Sequence, residues 1–117
     1  MKRTSLLSLA CAVLLIAIVA SPSWSEDKPP TGAVSIVDFK FDPAVLEVKA
    51  GTVVTWTNTQ PGGHLIKSGT PDKPKDGPIK GKLDKKGDTF SVTFDKPGEY
   101  PYFCDYHHFM VGKVVVK

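Results

Sequence analysis

Tyr100-Pro-Tyr-Phe-Cys104-Asp-Tyr-His107-His108-Phe-Met110-Val-Gly-Lys-Val-Val-Val116 is the stretch whose reading decides the fold. Aromatic residues lead up to Cys104 and a β-branched run follows Met110, a pattern that predicts strand, tight loop, strand. Tyr100, Tyr102 and Cys104 share parity, so their side chains should fall on one face of the first strand. Pro101 has no N–H for a ladder, so it belongs where that strand lacks a partner on its N–H side, or at a bulge. The loop gathers a thiol, an imidazole and a thioether within seven residues, at Cys104, His107 and Met110.

Working outward, further strand signals are spaced closely. Thr89-Phe-Ser-Val-Thr-Phe94 runs into the turn Lys96-Pro97-Gly98. Upstream, Ala33 to Phe39, Ala44 to Lys49 and Thr52 to Thr57 are separated by Asp42-Pro43 and Ala50-Gly51. Val45, Glu47 and Lys49 alternate with Leu46 and Val48, a period of two, and no stretch beyond the leader shows a helical period over ten or more residues. Short strands with Gly/Pro punctuation predict a single all-β domain, a β-sandwich or a barrel. Trp56, Phe90, Phe94, Tyr100 and Tyr102 are expected in its core. Lys67 to Asp88 breaks the pattern with seven Lys, four Asp, four Gly and three Pro. It reads as a long surface excursion of local charge +3 that carries a short strand or one helical turn, pegged to the domain by Ile79 and Leu83.

The N-terminus has another character. Met1-Lys2-Arg3 precedes an unbroken run of small and apolar residues, Leu6 to Ala20, and Ser21-Pro-Ser-Trp-Ser25 leads into Glu26-Asp-Lys28. This is the layout of a secretory signal peptide over residues 1–25, with a core shorter than the roughly 20 residues that span a bilayer. Residues 26–32 are polar and Pro-rich and predict a flexible tail, leaving 33–117 as the domain. The expected location is periplasmic, with no membrane attachment after cleavage. The mature chain would keep 13 Lys against 12 acidic residues, a net charge of +1. Near-balanced charge without aromatic–lysine interleaving argues against nucleic-acid binding.

Cleavage would also leave one Cys, one Met and three His, all at or beyond His64. A lone Cys in an exported chain calls for an explanation, since structural cysteines there come in pairs. Intermolecular pairing and an inert buried thiol are the plain alternatives; the flanking His107 and Met110 favour a metal thiolate. A soft thiolate, imidazole and a weak thioether are the donors of a blue-copper electron-transfer centre, which requires one further His. His64 is the one His outside the stretch.

The pattern Phe39-x-Phe41-x-Pro43, Val48-x-x-Gly51-Thr-x-Val54-x-Trp56-x-Asn58, then His64, resembles the cupredoxins. So does Tyr100-x-Tyr102-x-Cys104-x-x-His107-x-Phe109-Met110-x-Gly112, most similar to the plastocyanin/amicyanin branch with its short ligand loop. The resemblance runs from about Ala33 to Lys117. It implies a Greek-key β-sandwich, one type 1 copper ion cycling between Cu(I) and Cu(II), and the ligands His64, Cys104, His107 and Met110. Redox protein partners would approach an apolar surface near His107 that includes Phe109 and Pro61, or the Lys-rich 67–88 segment, with the protein a monomer. Gly63 and Leu65 stand where the branch usually has Pro and Asn around the first His, so the polar tie that Asn provides between the ligand loops is missing. Gly63 resembles azurins, where the Gly carbonyl approaches the metal axially. His108 stands where Pro is usual and is expected to be exposed and without a role.

The function expected is single-electron transfer between larger redox proteins. The alternative is a copper carrier or scavenger, which Met-rich or His-rich tracts would favour. A complete four-donor set leaves no open position for a substrate, so an enzyme is not expected.

Overall fold

The computed structural model describes residues 28–117, and the signal-peptide reading of residues 1–25 lies outside them. Ten strands follow in order: β1 Thr31–Val37, β2 Lys40–Asp42, β3 Val45–Val48, β4 Thr52–Asn58, β5 His64–Thr70, β6 Lys73–Pro74, β7 Lys80–Leu83, β8 Thr89–Phe94, β9 Gly98–Cys104 and β10 Val111–Val116. One sheet has the order β2-β1-β4-β8; the other runs β3-β10-β9-β5-β6, with β7 also paired to β5. The chain crosses repeatedly between the sheets, as a Greek-key sandwich requires. The pairings β1·β4 and β10·β3 are parallel and the others antiparallel. Among the described residues no helix is long and apolar enough to cross a membrane.

Period-two alternation builds the core. Along β4, Thr52, Val54, Trp56 and Asn58 turn inward, meeting Ile36, Phe94, Ile66, Tyr102 and Val114 between the sheets. Trp56 anchors it, stacked on Phe90 at 4.8 Å and perpendicular to Tyr102 at 5.3 Å. Burying such rings contributes most of the favourable free energy of a small sandwich, at roughly 25 cal/mol per Å². Neither Trp56 Nε1 nor Tyr102 OH, both buried, finds a hydrogen-bond partner. Burial pushes the Tyr102 phenol up to about 12, with the neighbouring Trp56 N–H opposing the rise. The expected core residues Phe90 and Tyr100 are only half-buried, packed against the cluster. The β5·β9 ladder stops at Tyr102, one residue short of Pro101, so Pro101 deprives β5 of nothing.

Three boundaries differ from expectation. β1 begins at Thr31, where Thr31 and Gly32 pair with Val53 and Val54 of β4, so it takes in the last two residues of the expected tail. Phe39 is not in a strand: Asp38 and Phe39, with φ of 50° and 57°, form the two-residue turn between β1 and β2. Positive φ at both central residues is what a tight hairpin turn needs. The third difference is the largest. Lys67–Asp88 holds more than the one short strand or helical turn expected of it, because β5 runs through Thr70, β6 is Lys73–Pro74 and β7 lies along β5 from His64↔Leu83 to Lys67↔Lys80. Ile79 and Leu83 are both buried, as pegs should be.

Candidate metal centre

His64, Cys104 and His107 come together at one end of the sandwich, with their potential ligand atoms all within 4.8 Å of one another. Cys104 Sγ is the hub, 3.6 Å from His64 Nδ1 and 3.6 Å from His107 Nδ1. Cys104 and His64 are wholly buried, while His107 keeps an edge toward solvent. Cys104 is the free cysteine among the described residues.

The loop carrying three of the expected ligands is closed by its own backbone. The His107 N–H donates to the Cys104 carbonyl at 3.3 Å, and the Met110 N–H to the His107 carbonyl at 2.8 Å. Each two-residue gap in Cys-x2-His-x2-Met is thus one tight turn, closed between its first and fourth residues. The Cys104 N–H then donates to the Met110 carbonyl at 3.0 Å, returning the chain to β10. Met110 is buried in the core cluster.

His64 is set by different means. Asn58, wholly buried at the end of β4, donates its side-chain N–H to the Gly62 carbonyl at 2.8 Å. Its Oδ1 accepts the Gln60 N–H at 3.2 Å. Its backbone is pinned by the Asp88 carbonyl at 2.9 Å and the Gly87 N–H at 2.7 Å. Gly62, at φ 102°, makes the turn that a side chain would oppose. The imidazole emerges at the first residue of β5, on the same inward face as Ile66 and Ser68. Burial lowers the pKa of His64, and charge on His107 lowers it further. Both effects keep the ring neutral, the form that ligates metal.

The missing Asn tie is replaced. The Asp105 N–H donates to the Leu65 carbonyl at 2.7 Å, and Lys67 Nζ donates to Asp105 Oδ2 at 3.1 Å, so backbone and an ion pair join the loops. The Lys67 hydrogen bond, the largest influence, lowers the Asp105 pKa, while desolvation opposes it. His108 stands apart from the three donors. Its Nε2 lies 3.6 Å from Asp105 Oδ1 and its ring 6.0 Å from Phe103, so it covers a buried aromatic.

Sequence reasoning did not single out Phe39 or Gln60 as parts of the centre. The Phe39 ring lies 5.1 Å from the His107 ring and 6.2 Å from His64. Phe109, 70% exposed, lies 6.0 Å from His107. The Gln60 amide lies between His64 and the Phe39 backbone. Gln60 belongs to no recognisable spacing; Phe39 opens the Phe39-x-Phe41-x-Pro43 pattern, which marks the fold but not a place beside the donors.

The donor chemistry fits copper. One soft sulfur and two imidazoles on a buried hub suit both oxidation states of copper, and among the described residues no carboxylate belongs to the cluster to favour a harder cation. Comparison with known proteins agrees. Residues 31–117 match the family described as copper binding proteins, plastocyanin/azurin family. Amicyanin-alpha of Methylorubrum extorquens is 39% identical over 114 residues, covering 94% of this chain and 93% of its own. Among solved structures, a purple cupredoxin from Nitrosopumilus maritimus superposes with a TM-score of 0.66 at 30% identity, covering 74% of this chain and 99% of its own. A reduced Cu(I) amicyanin mutant at pH 4 gives 0.64 at 36%, covering 74% and 82%. The chain therefore belongs to the plastocyanin/azurin family of copper-binding proteins, a cupredoxin that carries electrons on one copper ion and is not an enzyme.

Proposed function

We propose that His64, Cys104, His107 and Met110 hold the copper ion of a single-electron carrier. The observation that carries this reading is the convergence of two imidazole Nδ1 atoms on one buried thiol. Met110 joins them as the buried end of the same hydrogen-bonded loop. Bound copper supplies a one-electron Cu(II)/Cu(I) couple. Cys104 supplies the soft donor that the reduced ion favours, and the imidazoles supply what the oxidised ion favours. Backbone bonds across both loops hold the donors in one arrangement, so little has to move when the charge changes. His107, flanked by Phe39 and Phe109, is the half-exposed edge through which an electron would pass; His64 is sealed.

Cys104→Ala should abolish the intense thiolate-to-copper absorption of the Cu(II)-loaded protein. A blue mutant, or a wild type that never turns blue, would sink the assignment. Fast electron self-exchange is the expected behaviour of an electron carrier; copper released readily to a chelator would mark a metal carrier or scavenger instead.

The partners are redox proteins that dock on the apolar face around His107, with the lysines of 67–88 steering an acidic surface over about 8 Å at physiological salt. Reversing Lys82, Lys85 and Lys86 to Glu should slow exchange with such a partner, chiefly at low salt; unchanged rates there would remove the segment from the docking surface. The leader read in residues 1–25 directs the protein to the periplasm as a free monomer. N-terminal sequencing of the mature protein and its sedimentation test both statements: a retained leader or a stable dimer would overturn them.

A further inference from the structure

Gln60 sits between the His64 ring and the turn that carries Phe39. Its Oε1 accepts the Phe39 N–H at 2.9 Å, and its Nε2 lies 3.2 Å from His64 Nε2. The opposite ring nitrogen, Nδ1, faces Cys104 Sγ at 3.6 Å. Both nitrogens of a wholly buried imidazole therefore have assigned neighbours, one inside the donor cluster and one outside it. The Phe39 ring closes the same side. Its backbone, at φ 57°, adopts a conformation that bulky residues rarely take, and its N–H is spent on Gln60.

We propose that Gln60 is the positioning residue for His64, its amide locking the ring with Nδ1 toward Cys104 while the Phe39 turn holds the amide in place. The inference rests on the reading of His64 as a copper ligand through Nδ1. A neutral imidazole that gives Nδ1 to a metal carries its proton on Nε2, and that N–H needs an acceptor where solvent does not reach. A primary amide carries a donor and an acceptor on one carbon. Without metal the Gln60 N–H donates to Nε2. With metal on Nδ1, a small shift of the side chain lets Oε1, which has two acceptor sites, take the Nε2–H while it keeps the Phe39 N–H. Leu at this position would serve neither state, and Glu only the loaded one.

Loss of such an outer partner typically weakens metal binding about 10- to 100-fold. Cu(I)-loaded Gln60→Leu should therefore give up copper to a chelator about 10- to 100-fold faster than wild type. Its reduction potential and Cu(II) EPR parameters should also move, while Gln60→Glu keeps slow release. Histidine side-chain ¹⁵N NMR of wild type, metal-free and Cu(I)-loaded, supplies the second measurement. If the His64 Nδ1 resonance does not respond to copper, the ligand assignment itself has failed. If it responds, a slowly exchanging Nε2–H with a cross-peak to the Gln60 side chain is the expected result. A freely exchanging Nε2–H, or wild-type release and potential in Gln60→Leu, overturns the role of Gln60. Should Gln60→Leu not fold, the wild-type spectrum alone decides.

Discussion

Cys104, His107 and Met110 arrive on one loop whose turns close within themselves, whereas His64, forty residues from Cys104, is placed by a strand held from both sides. One wall of the centre is a local structure; the other is tertiary. The local wall needs only the right residues at the right spacing. The tertiary wall needs β7 beside β5, Asn58 beneath the loop, and Asp105 across it. Changes far from the donors should therefore damage the His64 wall more than the Cys104 wall.

The largest effect should come from Leu83→Ala. Leu83 is fully buried and registers directly with His64, so its loss opens a cavity behind the tertiary wall, at a cost of about 2–5 kcal/mol. Chemical denaturation of metal-free protein measures it; a cost below about 1 kcal/mol would mean that β7 is decoration.

The second sets two glycines against each other. A Cβ on Gly112, in the local wall, would stand 2.5 Å from Tyr102 Cζ; one on Gly81, in the tertiary wall, 2.4 Å from the Phe90 ring. Tyr102 is sealed and cannot yield, while Phe90 is only half-buried. Overpacking costs about 1–3 kcal/mol, so Gly112→Ala should lie at the top of that range and Gly81→Ala at the bottom. A reversed order in thermal melts would contradict the packing described here.

A third test uses alkaline pH. The Tyr102 phenol is raised in the folded state to about 12 from 10. The unfolded chain therefore loses this proton first, and stability falls as pH climbs from 10 toward 12. The contribution reaches about 3 kcal/mol. Tyr102→Phe should remove that part of the alkaline decline and leave behaviour near neutrality almost unchanged, since the hydroxyl has no hydrogen-bond partner to lose. Identical alkaline slopes would refute it.

At low pH the sign is opposite. His64 is held below its ordinary 6.5 by burial and then by His107, so the unfolded chain takes up that proton first. Metal-free protein should lose stability as pH falls below about 6.5, and His64→Gln should flatten this limb. Equal limbs would count against the burial of His64. The smallest effect should come from Leu65→Asn. An amide reaching the opposite loop would add a donor near the thiolate, stabilise the reduced metal and raise the potential. Since the Asp105–Leu65 backbone bond already ties the loops, the rise should be small; a fall would contradict this account.

The same division explains what was legible. The spacing of Cys104, His107 and Met110 could be read as a proposed donor loop because each gap is one turn, and β4 was visible in plain alternation. β5 was not. Its inward face sets one apolar residue, Ile66, between His64 and Ser68, polar residues that sit inside only because each meets a particular partner. Ser68 Oγ, for one, donates to the Ile79 carbonyl and accepts the Ile79 N–H. In β7 two lysines face outward, and Gly81 is small because Phe90 fills its space. A strand whose buried face is mostly polar or vacant carries no clear hydrophobic period, so the segment reads as a surface excursion. Gln60 and Phe39 were hidden as parts of the centre because the bond that joins them spans 21 residues.

β10, last of the strands in chain order, is an interior strand of its sheet, between β3 and β9. β3 has no other hydrogen-bonded neighbour in that sheet. Until Val111–Val116 is in place, a long-synthesised strand waits with nothing to pair with, and β9 presents a second bare edge beside it. Unpaired edges recruit other chains. A chain halted at Met110 would therefore hold every proposed copper donor and still fail as a protein, collecting in aggregates instead of forming a smaller sandwich.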